Sequence, residues 1–312
     1  MICTLAAYFF NMQSGIVSTY FLPGVIAIIM FTLGLTLDIR DFRNIIKHPR
    51  QVFIGLGAQM ILLPLIAFGI ANISGLSPAL KVGIMIIAAC PGGAVSNLIT
   101  YFLRGSVSLS VALTSMNSIL ILVTLPAIVY FSLWFFTDEA AFIVMPVSSM
   151  MVKVFVMILV PVGIGMLIRY KNRLTAKKIE SYLKYFTTIL LAVVYGFVIF
   201  EKNGDNGTVT SISEYLNVAP WVFGMNVLGM LTGYLMGRWN GLDLQRQITL
   251  SVEVGIQNSA LAITIAGSAA FLGNHEMAIP AVTYGAFTFF NAVLFGMIIK
   301  KIKPRKEKRK NH

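Results

Sequence analysis

Glu253 is the one acidic residue inside any of the long apolar stretches of this 312-residue chain. It lies in Thr249-Leu250-Ser251-Val252-Glu253-Val254-Gly255-Ile256-Gln257-Asn258-Ser259, a run rich in side-chain oxygen with a glycine near its middle. About half a chain earlier, Cys90-Pro91-Gly92-Gly93-Ala94-Val95-Ser96-Asn97 interrupts another apolar stretch. Proline removes a backbone donor and glycine releases helical geometry, so this interruption frees carbonyls and amides at depth. Ser110 and Thr114 follow at i and i+4, on one helix face. Gln59 precedes the first interruption and Asn291 follows the second. Taken singly, Gln59, Asn291 and the two hydroxyls suit interhelical hydrogen bonding as well as they suit ligand roles, and a simple kink accounts for the proline. Glu253 is different. Burying an acid at mid-span costs about 3 kcal/mol on insertion scales, and Lys153, the basic residue nearest a span core, sits near a span end. A cation from solution is the partner this pattern asks for.

All of these side chains offer oxygen, while His48, His275 and His312 fall in loops or the tail. Hard oxygen donors around one carboxylate suit Na+ or a similar ion, not zinc or copper. No nucleophile is paired with a base, so an enzyme reading has no chemical centre.

Long helices must carry these groups. The chain is 57% hydrophobic, only 12% charged, and has a mean hydropathy of +0.82. A soluble domain carries about 25% charged residues, and the apolar runs here approach the length that spans a bilayer. The expected fold is an all-α polytopic membrane protein with spans near 20–37, 51–72, 79–103, 106–136, 147–168, 183–200, 218–237, 247–272 and 278–299, plus a stub at 1–10. Interruptions at matching places in two halves point to inverted five-helix repeats with a site at the midplane, here 1–136 and 137–300, followed by a basic tail at 301–312.

The net charge of +12 is not a nucleic-acid footprint once located. Loop 38–50, Arg104, segment 169–184, the pair Arg238 and Arg246, and the C-terminal segment hold 21 of the 24 Lys and Arg. They fall on alternate sides of successive spans, so the expected topology puts them, and the C-terminus, in the cytoplasm. Cys3 and Cys90 are too few for a disulfide framework, and no cleavable signal is evident. A bacterial inner membrane is the expected location. Asn206-Gly207-Thr208 is a glycosylation sequon on the outer side, meaningful only in a eukaryotic host.

In their order, these residues resemble the bile acid/sodium symporter family over nearly the whole chain, from Gly34-Leu35-Thr36-Leu37 to Asn291. The specific pieces are Ala89-Cys90-Pro91-Gly92-Gly93 with Ser96-Asn97, and Glu253-Val254-Gly255-Ile256-Gln257-Asn258. The resemblance implies ten helices, a core domain with two crossed discontinuous helices, and a panel domain moving against it. It also implies import of an organic anion, a steroid-sized acid or a small carboxylate, with two Na+ ions. One sodium site would use Ser96, Asn97, Ser110, Thr114 and Glu253; the other would use Gln59, Glu253, Val254, Ile256 and Gln257. Ala94, Asn258 and Asn291 would meet the substrate. Phe290 stands where some members carry a His, and Ala94 where some carry a hydroxyl, so the cargo need not be a bile acid. A related branch exports arsenite through a helix thiol, for which Cys90 is the candidate here, and a sodium-gated receptor without transport is a third class.

Overall fold

The computed structural model describes residues 20–38, 49–137, 147–200, 202–203, 208–209 and 211–302. The expected stub at 1–10, loop residues 39–48, Asn206 and Gly207 of the sequon, and the tail beyond Ile302 lie outside the described residues. In chain order the helices are α1 (Leu22–Thr36), α2 (Pro49–Ile73), α3 (Pro78–Ala89), α4 (Ala94–Phe102), α5 (Val107–Phe136), α6 (Val147–Val154, continuing to Lys171), α7 (Arg173–Phe200), α8 (Ile212–Trp239), α9 (Leu244–Gly255), α10 (Ser259–Gly267) and α11 (Ile279–Ile302). A two-residue antiparallel ladder, Lys202–Asn203 with Thr208–Val209, ties the turn after α7. Among the described residues, six helical segments are long and apolar enough to cross a membrane, and α1 and α3 are shorter apolar helices.

The expected spans and the helices coincide closely, and the two spans expected to be interrupted appear as broken helices. The span at 183–200 is the upper part of α7, whose lower turns carry Arg173, Lys177, Lys178 and Glu180 and extend beyond any apolar window. The span at 79–103 divides into α3 and α4, and that at 247–272 into α9 and α10.

Local chemistry makes each break. α3 begins at Ser77, whose side chain accepts from Leu80 N, and has Pro78 in its first turn, where no donor is missed. It stops at Cys90, which is extended (φ −77°, ψ 147°) because the following Pro91 excludes helical geometry there. Gly93 then takes φ +95°, ψ −165°, a conformation open essentially to glycine, before α4 starts. The second break needs no proline. α9 ends at Gly255, Ile256 is extended, and Asn258 caps α10 by accepting from Leu261 N at 3.0 Å.

The two breaks touch. Asn258 N donates to Pro91 O at 2.8 Å. α3 packs against α10 and α4 against α9, so the half before one break lies beside the half after the other. The α9–α10 segment has 94% of its apolar window buried, against at most 44% for the other five spans, so it forms the centre of the molecule. Gly229, Gly233 and Gly237 let α8 approach it at backbone distance: a Cβ on Gly233 would lie 2.6 Å from the Leu250 carbonyl carbon. α1, α6 and α7 pack on one another; α2, α5, α8 and α11 surround the two broken helices. Gln59 sits in a π-helical stretch of α2, Ala58–Leu62, just ahead of Pro64. Proline withholds the N–H that would close the preceding turn, which lets that turn widen.

Candidate functional site

Glu253, on the last turn of α9, is fully buried. Ser110 Oγ, on α5, donates to its Oε1 and also stands 2.7 Å from Asn97 Oδ1 of α4. Thr114 Oγ1, one turn further along α5, is 3.3 Å from Glu253 Oε2 and 3.4 Å from Asn97 Oδ1. Two hydroxyls thus face four acceptor contacts with one proton each, so two of those oxygen pairs have no proton between them. Ser96 Oγ, buried, is committed to Gly93 O at 2.8 Å. A Cβ added at Gly92 would fall 2.8 Å from Ser96 Oγ, 3.0 Å from Ile256 O and 3.2 Å from Glu253 Oε2. Only a residue without a side chain lets those oxygens converge there.

Glu253 forms no ion pair among the described residues. Lys153 is occupied elsewhere, donating to Ala270 O at 2.5 Å. A buried carboxylate ringed by acceptors that outnumber their protons, with no basic side chain, has the chemistry of a hard-cation cage.

A row of amides adjoins it. Gln257 Nε2 donates to Val254 O at 2.8 Å and lies 3.5 Å from Glu253 O. Gln59 Nε2 donates to Gln257 Oε1 at 3.3 Å, and Asn117 Nδ2 donates to Gln59 Oε1. Gln59, Gln257 and Val254 are therefore brought together, and Ile256 O lies close to Gly92. Asn117 was not among the expected site residues. It stands at i+7 from Ser110 and i+3 from Thr114, on the same face, and that spacing was a usable signal.

The residues expected to meet substrate are divided. Ala94 opens α4 and Asn258 opens α10, so both stand at half-helix N-termini, and Asn258 Nδ2 lies over Gly93. Asn291, on α11, turns instead to Asn226 of α8, donating to its Oδ1 at 3.1 Å. Asn226 Nδ2 in turn bonds Gly255 O (2.6 Å), Thr288 Oγ1 (2.9 Å) and Tyr284 OH (3.1 Å). Tyr284 OH reaches the same Gly255 carbonyl at 2.5 Å. Tyr284, Thr288 and Asn291 repeat on α11 the i, i+4, i+7 spacing of Ser110, Thr114 and Asn117 on α5. In each half, an amide on the helix before the break bonds the amide at the i+7 position after it: Gln59 with Asn117, Asn226 with Asn291. Asn226, Tyr284 and Thr288 were likewise missed, because one amide, one phenol and one hydroxyl in apolar helices carry no distinctive pattern until their partner is known.

Cys90 is buried beside the first break as a free thiol.

The sodium bile acid symporter family model matches residues 23–208. A sodium-dependent transporter of Bacillus subtilis (strain 168) is 31% identical over 243 residues, 77% of this chain and 72% of that protein. The human ileal sodium/bile acid cotransporter is 30% identical over 272 residues, 84% of this chain and 73% of the relative. A probable chloroplastic sodium/metabolite cotransporter of Arabidopsis thaliana is 28% identical over 275 residues, 87% of this chain and 65% of that protein. These relatives are membrane transporters, not enzymes. With its buried oxygen cage and paired breaks, the chain is a multi-pass member of the sodium bile acid symporter family.

Proposed function

We propose that this chain imports a small organic anion by symport with two Na+ ions. The observation that carries the reading is the fully buried Glu253, surrounded by acceptors with too few protons and no basic partner. One ion would take Ser96, Asn97, Ser110, Thr114 and Glu253. The second would take Glu253, the carbonyls of Val254 and Ile256, and the side chains of Gln257 and Gln59. The anion would dock where α4 and α10 begin, at Ala94 and Asn258, because half-helix N-termini present unpaired N–H groups and a positive field. Asn291 would reach it by exchanging its bond to Asn226.

The reciprocal packing of half-helices and the matched amide pairs support inverted repeats at 1–136 and 137–300. On that reading α1, α6 and α7 form the panel, and the remaining helices form the core around the site. The basic ends of the helices, and with them the C-terminus, face the cytoplasm of a bacterial inner membrane. The relatives' named cargoes range from bile acid to an unspecified metabolite, so the substrate class is an organic anion of either size.

Uptake into proteoliposomes tests the proposal. A panel of steroid acids and small carboxylates should accumulate with an inward Na+ gradient and fail to do so in K+ or choline. Accumulation that ignores Na+ and follows a proton gradient would refute sodium symport.

A further inference from the structure

Asn117 is buried to 1% exposure, and its Oδ1 has no hydrogen-bond partner, although its Nδ2 is spent on Gln59 Oε1. Leaving a buried amide oxygen unsatisfied is costly, so the orphan calls for a donor or a cation. Asn117 lines a cavity of about 10 Å³ together with Gln59, Ala88, Ala89 and Cys90. That is about the room one water or one small ion needs.

The far wall of the cavity is the C-terminal turn of α3. Cys90 N bonds Ile87 O, and Pro91 O receives Asn258 N. No N–H among the described residues reaches the carbonyls of Ala88 and Ala89, because the chain leaves helical geometry at Cys90 and takes away Gly92 and Gly93, whose N–H groups would have closed those turns. A helix C-terminus also carries negative partial charge. Two residues with unclaimed carbonyls, one with an orphaned amide oxygen, and Gln59 therefore line one ion-sized space, with acceptors in excess of donors.

We propose that Asn117 Oδ1, Gln59 and the free carbonyl end of α3 form a further position for a hard monovalent cation, Na+ first, adjoining the Gln59 end of the amide row. This rests on the sodium-coupled reading above and adds to it a residue, Asn117, and a wall, Ala88–Ala89. Sodium held there and sodium held by Gln257 share Gln59, so the ion can pass between the two positions while Gln59 turns its oxygen from one to the other.

The test is a Na+ titration of thermal stability on the purified full-length protein, with K+ replacing Na+ at constant ionic strength. Asn117→Leu keeps the size and removes both polar atoms; it should raise the half-saturating Na+ concentration about tenfold, the worth of one oxygen ligand. Asn117→Asp puts a carboxylate where the orphaned oxygen stands and should lower it by about the same factor. If the Leu variant fails to fold, the Asp variant decides alone. A wild-type response that both variants leave unchanged means the cavity holds water only, and overturns this proposal while leaving the symport reading intact. A wild-type protein with no Na+ response overturns both.

Discussion

Replacing Glu253 by Gln keeps the side chain's shape and removes the charge that both proposed sodium positions share. Glu253→Gln should abolish the Na+ dependence of uptake while the protein still inserts, because the cage is built of neutral groups that tolerate an amide. Ser110→Ala or Thr114→Ala removes one neutral oxygen and should raise the half-saturating Na+ concentration by about tenfold, the scale of one hydrogen-bonding group. Uptake titrated with Na+ for the three variants checks the order; a Glu253→Gln protein with wild-type Na+ dependence would exclude the shared-acid arrangement. On the substrate side, Asn258→Ala should weaken anion binding and leave Na+ binding, measured without anion, nearly unaltered. Cys90→Ser exchanges one small side chain for another of similar size and should leave anion uptake intact, whereas a thiol-dependent metalloid exporter would lose its activity. At this scale the sequence was readable where a residue was expensive. Glu253 has no ion-pair partner among the described residues, so its cost alone singled it out as a candidate. Asn117 and Asn226 are cheap amides whose meaning lies in a partner 58 and 65 residues away, at Gln59 and Asn291, and nothing local announces that pairing.

Helix boundaries and breaks belong to the next scale. The Pro-Gly-Gly break was legible because each residue type excludes helix for its own reason. The end of α9 was visible only as a glycine among polar residues, and its extended Ile256 and Asn258 cap emerged with the fold. α7 began well before its expected apolar start because charged side chains continue a helix beyond the span without entering it. Two substitutions probe these elements. Gly93→Ala forces a side chain onto φ +95° and should cost about 1–3 kcal/mol, read as a lowered unfolding temperature in detergent. Gly233→Val inserts a branched side chain where α8 and the Leu250 backbone already touch; it should destabilise by a similar 1–3 kcal/mol or more, and Gly224→Ala, with open space around its Cβ position, should not. Equal melting temperatures for the two α8 variants would show that the close approach carries no weight.

For the whole molecule, the consequence of two Na+ moving with one monovalent anion is net charge transfer. One elementary charge gains about 2.3 kcal/mol per 100 mV, which supports roughly fiftyfold accumulation from voltage alone. Uptake should therefore rise with an inside-negative K+ diffusion potential at fixed Na+ gradient; indifference to voltage would require one Na+ per anion. Sodium must also raise anion affinity by the same factor by which the anion raises sodium affinity, because both equilibria share one free-energy cycle. Repulsion between Glu253 and an incoming carboxylate supplies the physical reason, and paired binding titrations measure it.

The contact between Asn258 N and Pro91 O has a bearing on how the protein is made. Pro91 leaves the ribosome long before Asn258, and its carbonyl, buried at the break, has to wait for a donor that is synthesised about half a chain later. The first half inserted alone therefore holds an unpaired polar group at the midplane, together with a cage that lacks its acid. It should be short-lived when expressed by itself, and rescued when the second half is supplied as a separate polypeptide. Maturation of this transporter is in that sense a late event, completed when the eighth expected span docks.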